Sequence, residues 1–235
     1  KSNELINDVE EDLFLNETQI FRKNSKNLNC NRHFKIFNKF NIIPEYCFNC
    51  YKVQINLKTV VDLIKLFFIF DKIQLKNNNI RKCIVELRDQ IKGNYKGYIY
   101  CTGIPEAKEI MQNIENIIFK SNLKHSKIEI KHGCSEFYKS YHKFEKINFN
   151  GEQEMEYNKD WKEKEKLIDI KEPARLETDK KIFGEYLQGI NLSDILIINN
   201  WINYAKNIGD YSYKKIYDKE IKISFVNSIL KNQLE

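Results

Sequence analysis

Cys30-Asn31-Arg32-His33 and Cys47-Phe48-Asn49-Cys50 stand thirteen residues apart. The form C-x2-H…C-x2-C places two soft or borderline donors in each of two knuckles, which suits tetrahedral zinc. One zinc ion on Cys30, His33, Cys47 and Cys50 would also fasten the polar residues 21–46 to the strand that begins at Cys50. A redox pair at Cys47 and Cys50 fits less well. Such pairs open a helix whose dipole favours thiolate, whereas Cys50 enters an alternating, strand-like stretch. An iron–sulfur cluster would require Cys83, Cys101 or Cys134 to converge on the pair. Cys134 lies in His132-Gly133-Cys134-Ser135-Glu136, where a thiol with a neighbouring imidazole is a candidate nucleophile and base. No Walker-type loop, G-x-G-x-x-G, H-E-x-x-H or G-x-S-x-G occurs. That lowers the standing of P-loop, dinucleotide-binding, zincin and hydrolase mechanisms.

The elements that must position these residues are set by periodicity. Cys50–Ile55 alternates apolar and polar residues as a strand does. Asn56 is placed to cap a helix from Leu57, and Val60, Ile64, Phe67 and Phe70 recur at helical spacing. Ile80–Arg88 and Tyr95–Thr102 read as strands joined through a turn at Gly93-Asn94. Pro105 suits the first turn of a second helix, whose buried face holds Ala107, Ile110, Met111, Ile114, Ile117 and Ile118. Lys127–Lys131 is the fourth strand. The order βαββαβ predicts an α+β protein of ferredoxin-like form: an antiparallel four-stranded sheet with two helices on one face. A doubly wound parallel sheet is the alternative, but the tight hairpin argues against it, since parallel neighbours need a crossover.

The expected division is a polar N-terminal arm (1–44), a basic ferredoxin-like core (45–150), a charged linker or exposed helix (151–182) and a helical C-terminal extension packing on the core (183–235). In the extension Ser193 is expected to cap a helix with Ile195, Ile198, Trp201, Ile202 and Ala205 on its apolar face, stopped near Gly209. Further on, Ile221, Ile223 and Phe225 alternate like a strand, though Phe225, Ile229 and Leu230 also suit a helix.

Strand parity then sorts the side chains. Cys83, Val85, Ile99, Cys101, Ile128 and Ile130 point toward the helices. The other face carries Lys52, Lys82, Arg88, Lys96, Tyr98, Tyr100 and Lys131, with Glu86 and Glu129 among them. Cations around two tyrosines are the layout of a single-stranded nucleic-acid platform, where bases stack on rings and Lys or Arg hold phosphates. The bland alternative is that the C-terminal helix packs over this face and the tyrosines are packing residues. A third reading makes the face one wall of a cleft for a phosphorylated or anionic small molecule. Glu86 would then be its acid/base, and Arg88 with Lys96 its anion clamp.

Charge agrees with an anionic partner. The formal net charge is +6, and residues 21–149 hold 24 Lys/Arg against 11 Asp/Glu, while both flanks are net negative. The partner class is therefore nucleic acid or another anionic ligand. No stretch approaches the ~18–20 uncharged apolar residues of a membrane span. The opening residues lack a basic-then-apolar signal. A cytoplasmic protein with reduced thiols is expected.

Overall fold

The computed structural model describes residues 17–22, 28, 30–89, 91–121, 123, 126–171 and 189–217. It is a mixed helix and strand protein built on an open antiparallel sheet of five strands: β1 (Gln19–Arg22), β2 (Cys50–Leu57), β3 (Arg81–Val85), β4 (Tyr95–Thr102) and β5 (Lys127–His132). The spatial order is β1-β3-β4-β2-β5. The register runs Val53 opposite both Ile99 and Ile130, and Arg81 opposite Ile99. The sheet has one strand more than the four expected. Gln19–Arg22, within the expected polar arm, pairs with β3 from Gln19↔Ile84 to Arg22↔Arg81.

The helices are α1 (Cys30–Phe40), α2 (Glu45–Phe48), α3 (Val60–Lys72), α4 (Ile104–Lys120), α5 (His142–Glu145), α6 (Trp161–Lys171) and α7 (Leu192–Asn207), with a last turn at Lys214–Tyr217. Local chemistry sets their ends. β2 runs on to Leu57, so Asn56 is a strand residue and not a cap. Thr59 takes the capping role, its side chain accepting from the Asp62 N–H. Pro105 sits in the first turn of α4. α7 opens with a reciprocal capping box between Asn191 and Asp194, ahead of the expected Ser193. The alternating stretch after Glu220 lies outside the described residues.

One core joins Val53, Ile55, Cys83, Ile99 and Ile130 of the sheet to α3, α4 and α7. The C-terminal helix therefore shares the helix-bearing side of the sheet and leaves the other face open. Two contacts hold it there: Trp201 Nε1 donates to the Thr18 carbonyl at 2.8 Å, and Asn200 Nδ2 to the Glu17 carbonyl at 3.0 Å. Arg22, at the end of β1, is fully buried and fastens three elements. Its Nε donates to Asp71 Oδ1 of α3 at 2.9 Å, and its Nη2 to Asp194 Oδ2 of α7 at 2.5 Å and to the Gly189 carbonyl at 2.9 Å.

Gly97 belongs to this packing. It faces α3, where an added Cβ would overlap the end of the Leu66 side chain and stand 3.1 Å from Phe70 Cζ. Gly97→Ala should therefore cost about 1–3 kcal/mol through overpacking. Urea unfolding would measure this, and an unchanged midpoint would show that Leu66 and Phe70 give way freely.

A second core lies where β2 begins and β5 ends. Ile36, Ile43, Cys47, Phe137, Phe144 and Trp161 bury one another there, bringing α1, α2, α5 and α6 together. Glu165 stitches it, accepting from the Glu45 N–H at 2.7 Å and from the Tyr157 hydroxyl at 3.1 Å. Arg32 adds a two-pronged ion pair with Asp169 at 2.6 and 2.7 Å.

Candidate anion-binding cleft

The sheet face away from α3 and α4 forms the floor of a cavity of about 850 Å³. β2 contributes Lys52, Gln54 and Asn56 to it, β4 contributes Lys96 and Tyr98, and β5 contributes Glu129 and Lys131. The walls come from the connection between β3 and β4, through Arg88 and Lys92, and from the segment after β5, through Tyr138 and Glu145. Its lining holds six Lys or Arg side chains (52, 88, 92, 96, 127, 131) against the carboxylates of Glu129 and Glu145, so the cavity favours anions.

Lys96 is the unusual member. Its side chain is fully buried, and its ammonium has no hydrogen-bond partner; the nearest carboxylate oxygen, Glu86 Oε2, is 3.7 Å away. Burial lowers its pKa, with Glu86 opposing and Lys131, Arg88 and Lys52 reinforcing the fall. Glu86 is buried and is not among the residues that line the cavity. Its two oxygens accept from Arg88 Nε and Nη2 at 2.8 and 2.9 Å. Burial alone would raise the Glu86 carboxyl. The Arg88 hydrogen bonds and charge, with Lys96 behind them, bring it below its ordinary range. Glu86 is thus an ionised brace that orients Arg88, an arrangement ill suited to a general acid.

The rest of the floor is a polar mesh. Glu129 Oε1 accepts from Gln54 Nε2 at 3.1 Å and from Asn56 Nδ2 at 2.9 Å, and Lys131 and Lys127 each approach Glu129 to 3.1 Å. Against the opposing cost of burial, these partners hold the Glu129 carboxyl down at about 2. Asn56, expected as a helix cap, is therefore a cavity residue. Tyr138 and Glu145 come from a stretch with no periodicity to announce them.

The expected binding set divides. Lys52, Arg88, Lys96, Tyr98 and Lys131 meet in the cavity; Lys82 and Tyr100 lie outside its lining. Lys82 Nζ donates to Gln19 Oε1 of β1 at 2.7 Å, and burial, with the charge of Lys52, pulls its pKa down to about 8. Tyr98 is 6% exposed. Lys52 Nζ stands 4.9 Å and Lys82 Nζ 5.5 Å from the centre of its ring. Both cations draw on that ring as a π partner, so little of it is presented to an incoming base.

The cysteine and histidine candidates also divide. His33 is buried in α1, stacked on Tyr46 at 5.4 Å with Nδ1 unpartnered. Burial, followed by the Arg32 charge, pulls its pKa down to about 4. His132 is sandwiched, 3.8 Å from Phe144 and 4.6 Å from Tyr51 between ring centroids, and burial brings it to about 4 as well. It is a packed ring and not a base poised for Cys134, whose thiol burial pushes up to about 12. Cys83 and Cys101 are buried in the helix-side core. Cys47, Cys50, Cys83, Cys101 and Cys134 are free thiols. Among the described residues no three His, Cys, Asp or Glu side chains are already set as a metal shell.

No protein-family model, curated protein or solved structure matches this chain. Among the described residues no helix is long and apolar enough to cross a membrane.

Proposed function

We propose that the protein binds a phosphorylated or similarly anionic small molecule in the cleft on the open sheet face. Lys96 and Arg88 form the anion clamp, and Lys52 and Lys131 complete the positive wall. The ferredoxin-like part of this reading is β2 to β5 with α3 and α4, in the order β3-β4-β2-β5, carried as a rigid floor and extended by β1. The observation that supports it is the buried ammonium of Lys96, which lines the cavity without a hydrogen-bond partner. A buried donor left unmade costs stability, and an anion in the cleft would satisfy it once the ammonium turned from its buried position toward the cavity. The cavity's volume also lies within the range of pockets that enclose single small molecules. A nucleic acid read by stacking on Tyr98 has less support, because that ring is buried between Lys52 and Lys82. Free thiols at Cys47, Cys50, Cys83, Cys101 and Cys134 fit a reducing, cytoplasmic setting.

Lys96→Met separates a binding role from a structural one. Glu86 keeps both hydrogen bonds to Arg88, so the change leaves no bare carboxylate and removes a buried ammonium that makes no hydrogen bond. Stability should rise by about 1–3 kcal/mol, which for a chain of this size is a gain of a few degrees in Tm. Affinity for pyrophosphate, measured by titration calorimetry, should fall about 10- to 100-fold. A variant that is less stable and binds pyrophosphate unchanged would sink the reading. If Tyr98→Ala abolished tight binding of a single-stranded oligonucleotide that Lys96→Met left intact, the nucleic-acid alternative would take its place.

A further inference from the structure

Four of the six cysteines gather at one corner of the sheet. Cys50 opens β2, and Cys47 lies just before it in α2. β5 is the neighbour of β2, with Tyr51 opposite His132. Beyond that pair the Gly133 N–H donates to the Cys50 carbonyl at 2.8 Å, which carries Cys134 alongside Cys50. Residue 133 is a glycine for a local reason: a Cβ there would stand 2.5 Å from Cys50 Sγ. Cys30 opens α1, whose Ile36 is buried in the same core as Cys47, and Cys134 packs against that core. Cys30 is an electrostatic neighbour of Cys47, Cys50 and Cys134 alike. The remaining two thiols, Cys83 and Cys101, belong to the opposite side of the sheet.

Charge makes this corner more than a packing coincidence. Lys52 is a neighbour of Cys50 and Cys134, and Lys82 of Cys134. Lys52 Nζ donates to the Gly133 carbonyl at 3.0 Å, and Lys82 Nζ to Gln19 Oε1. Among the described residues neither makes an ion pair with a carboxylate. Two cations thus sit beside neutral thiols with no carboxylate in direct contact to balance them; Glu136 and Glu17 act on Lys52 and Lys82 only from a distance. A divalent ion on four thiolates carries a net charge of −2 and would supply that balance, while soft sulfur donors and a tetrahedral demand select zinc.

We propose that Cys30, Cys47, Cys50 and Cys134 hold one zinc ion, with Lys52 and Lys82 as its supporting cations. The site ties the start of α1 to the β2–β5 corner. His33 has no part in it, because its ring stacks on Tyr46 and its charged neighbours are Arg32 and Asp169. As they stand the four thiols do not form a metal shell, so closing on the ion would require their side chains to turn toward one another. The binding step balances: Zn²⁺ and four thiols give the tetrathiolate complex and four released protons, with no change of oxidation state.

The wild-type chain tests this without a variant. Reduced, metal-free protein titrated with zinc in buffers of differing ionisation enthalpy should take up about one ion and release about four protons. Three protons would point to a neutral imidazole replacing one thiol, and no stoichiometric uptake would remove the site; either result overturns the proposal. Cobalt in place of zinc should give the visible absorption of a tetrahedral thiolate complex. Cys134→Ser should weaken metal binding by more than the about 10- to 100-fold that loss of a supporting partner costs, and His33→Ala should leave it intact. Metal binding lost equally in both variants would also overturn the assignment. Pyrophosphate affinity is a separate readout, so failure here leaves the cleft untouched.

Discussion

Arg22→Met should cost about 3–5 kcal/mol of stability, the scale expected when a buried ion cluster loses one partner. Arg22 lies buried over the Phe67 ring, 4.5 Å from its centroid, and joins Asp71 of α3 to Asp194 of α7. Methionine can fill the space of the side chain, so packing is largely preserved. Two carboxylates are then left without their cation, in surroundings where Asp71 is 11% and Asp194 4% exposed. Asp194 also caps α7, and the Gly189 carbonyl would lose the Arg22 Nη2 donor from which it accepts at 2.9 Å. Equilibrium unfolding in urea should show a lower midpoint. A loss below about 1 kcal/mol, the worth of an exposed pair, would mean that this cluster does not hold β1 in place.

Acid should destabilise the protein steeply between about pH 6.5 and pH 4, and His33 should account for much of the slope. The free imidazole titrates near 6.5, whereas burial and the Arg32 charge hold His33 in the folded chain at about 4. Between those values the unfolded chain binds a proton that the folded chain refuses, so stability falls as pH falls. The loss is complete below pH 4 and amounts to about 3 kcal/mol. Asp169 opposes it slightly, since its charge favours the imidazolium. His33→Phe keeps an aromatic ring on Tyr46 and removes the titration. Its stability should fall less than the wild type's from pH 7 to pH 4, with a residual slope from His132. Parallel curves for the two proteins would refute the assignment.

The sheet from β2 to β5, with α3 and α4, was legible because each strand alternates and each helix carries an apolar stripe of full width. Parity alone placed Lys52, Lys96 and Tyr98 on one face. The cavity above those side chains was not legible, because its walls come from the β3–β4 connection and from Tyr138 and Glu145, which carry no repeating pattern. β1 escaped notice for a related reason. Four residues are too few to establish a period, and Arg22 at its end reads as surface although it is buried on the oxygens of Phe21, Asp71, Gly189 and Asp194. The course of α7 was also hidden: its apolar face is plain in the sequence, but Asp194 and Trp201 choose β1 and α3 over the open face. Cys134 stands far along the chain from Cys47 and Cys50, and only the pairing of β5 with β2 brings it beside them.

The clasp between β1 and α7 also bears on the order in which the molecule assembles. Arg22 and Asp194 are 172 residues apart in sequence, and Thr18 and Trp201 are 183 apart. Closing so long a loop demands chain entropy that no local contact repays in advance. The strands β2 to β5, whose pairings are far shorter in range, can form while α7 is still being synthesised. The free edge of β3 then waits for β1 to be secured. In that interval the edge offers unpaired backbone groups to any passing strand, so the buried arginine that ends β1 guards against misassembly as well as holding the finished fold together.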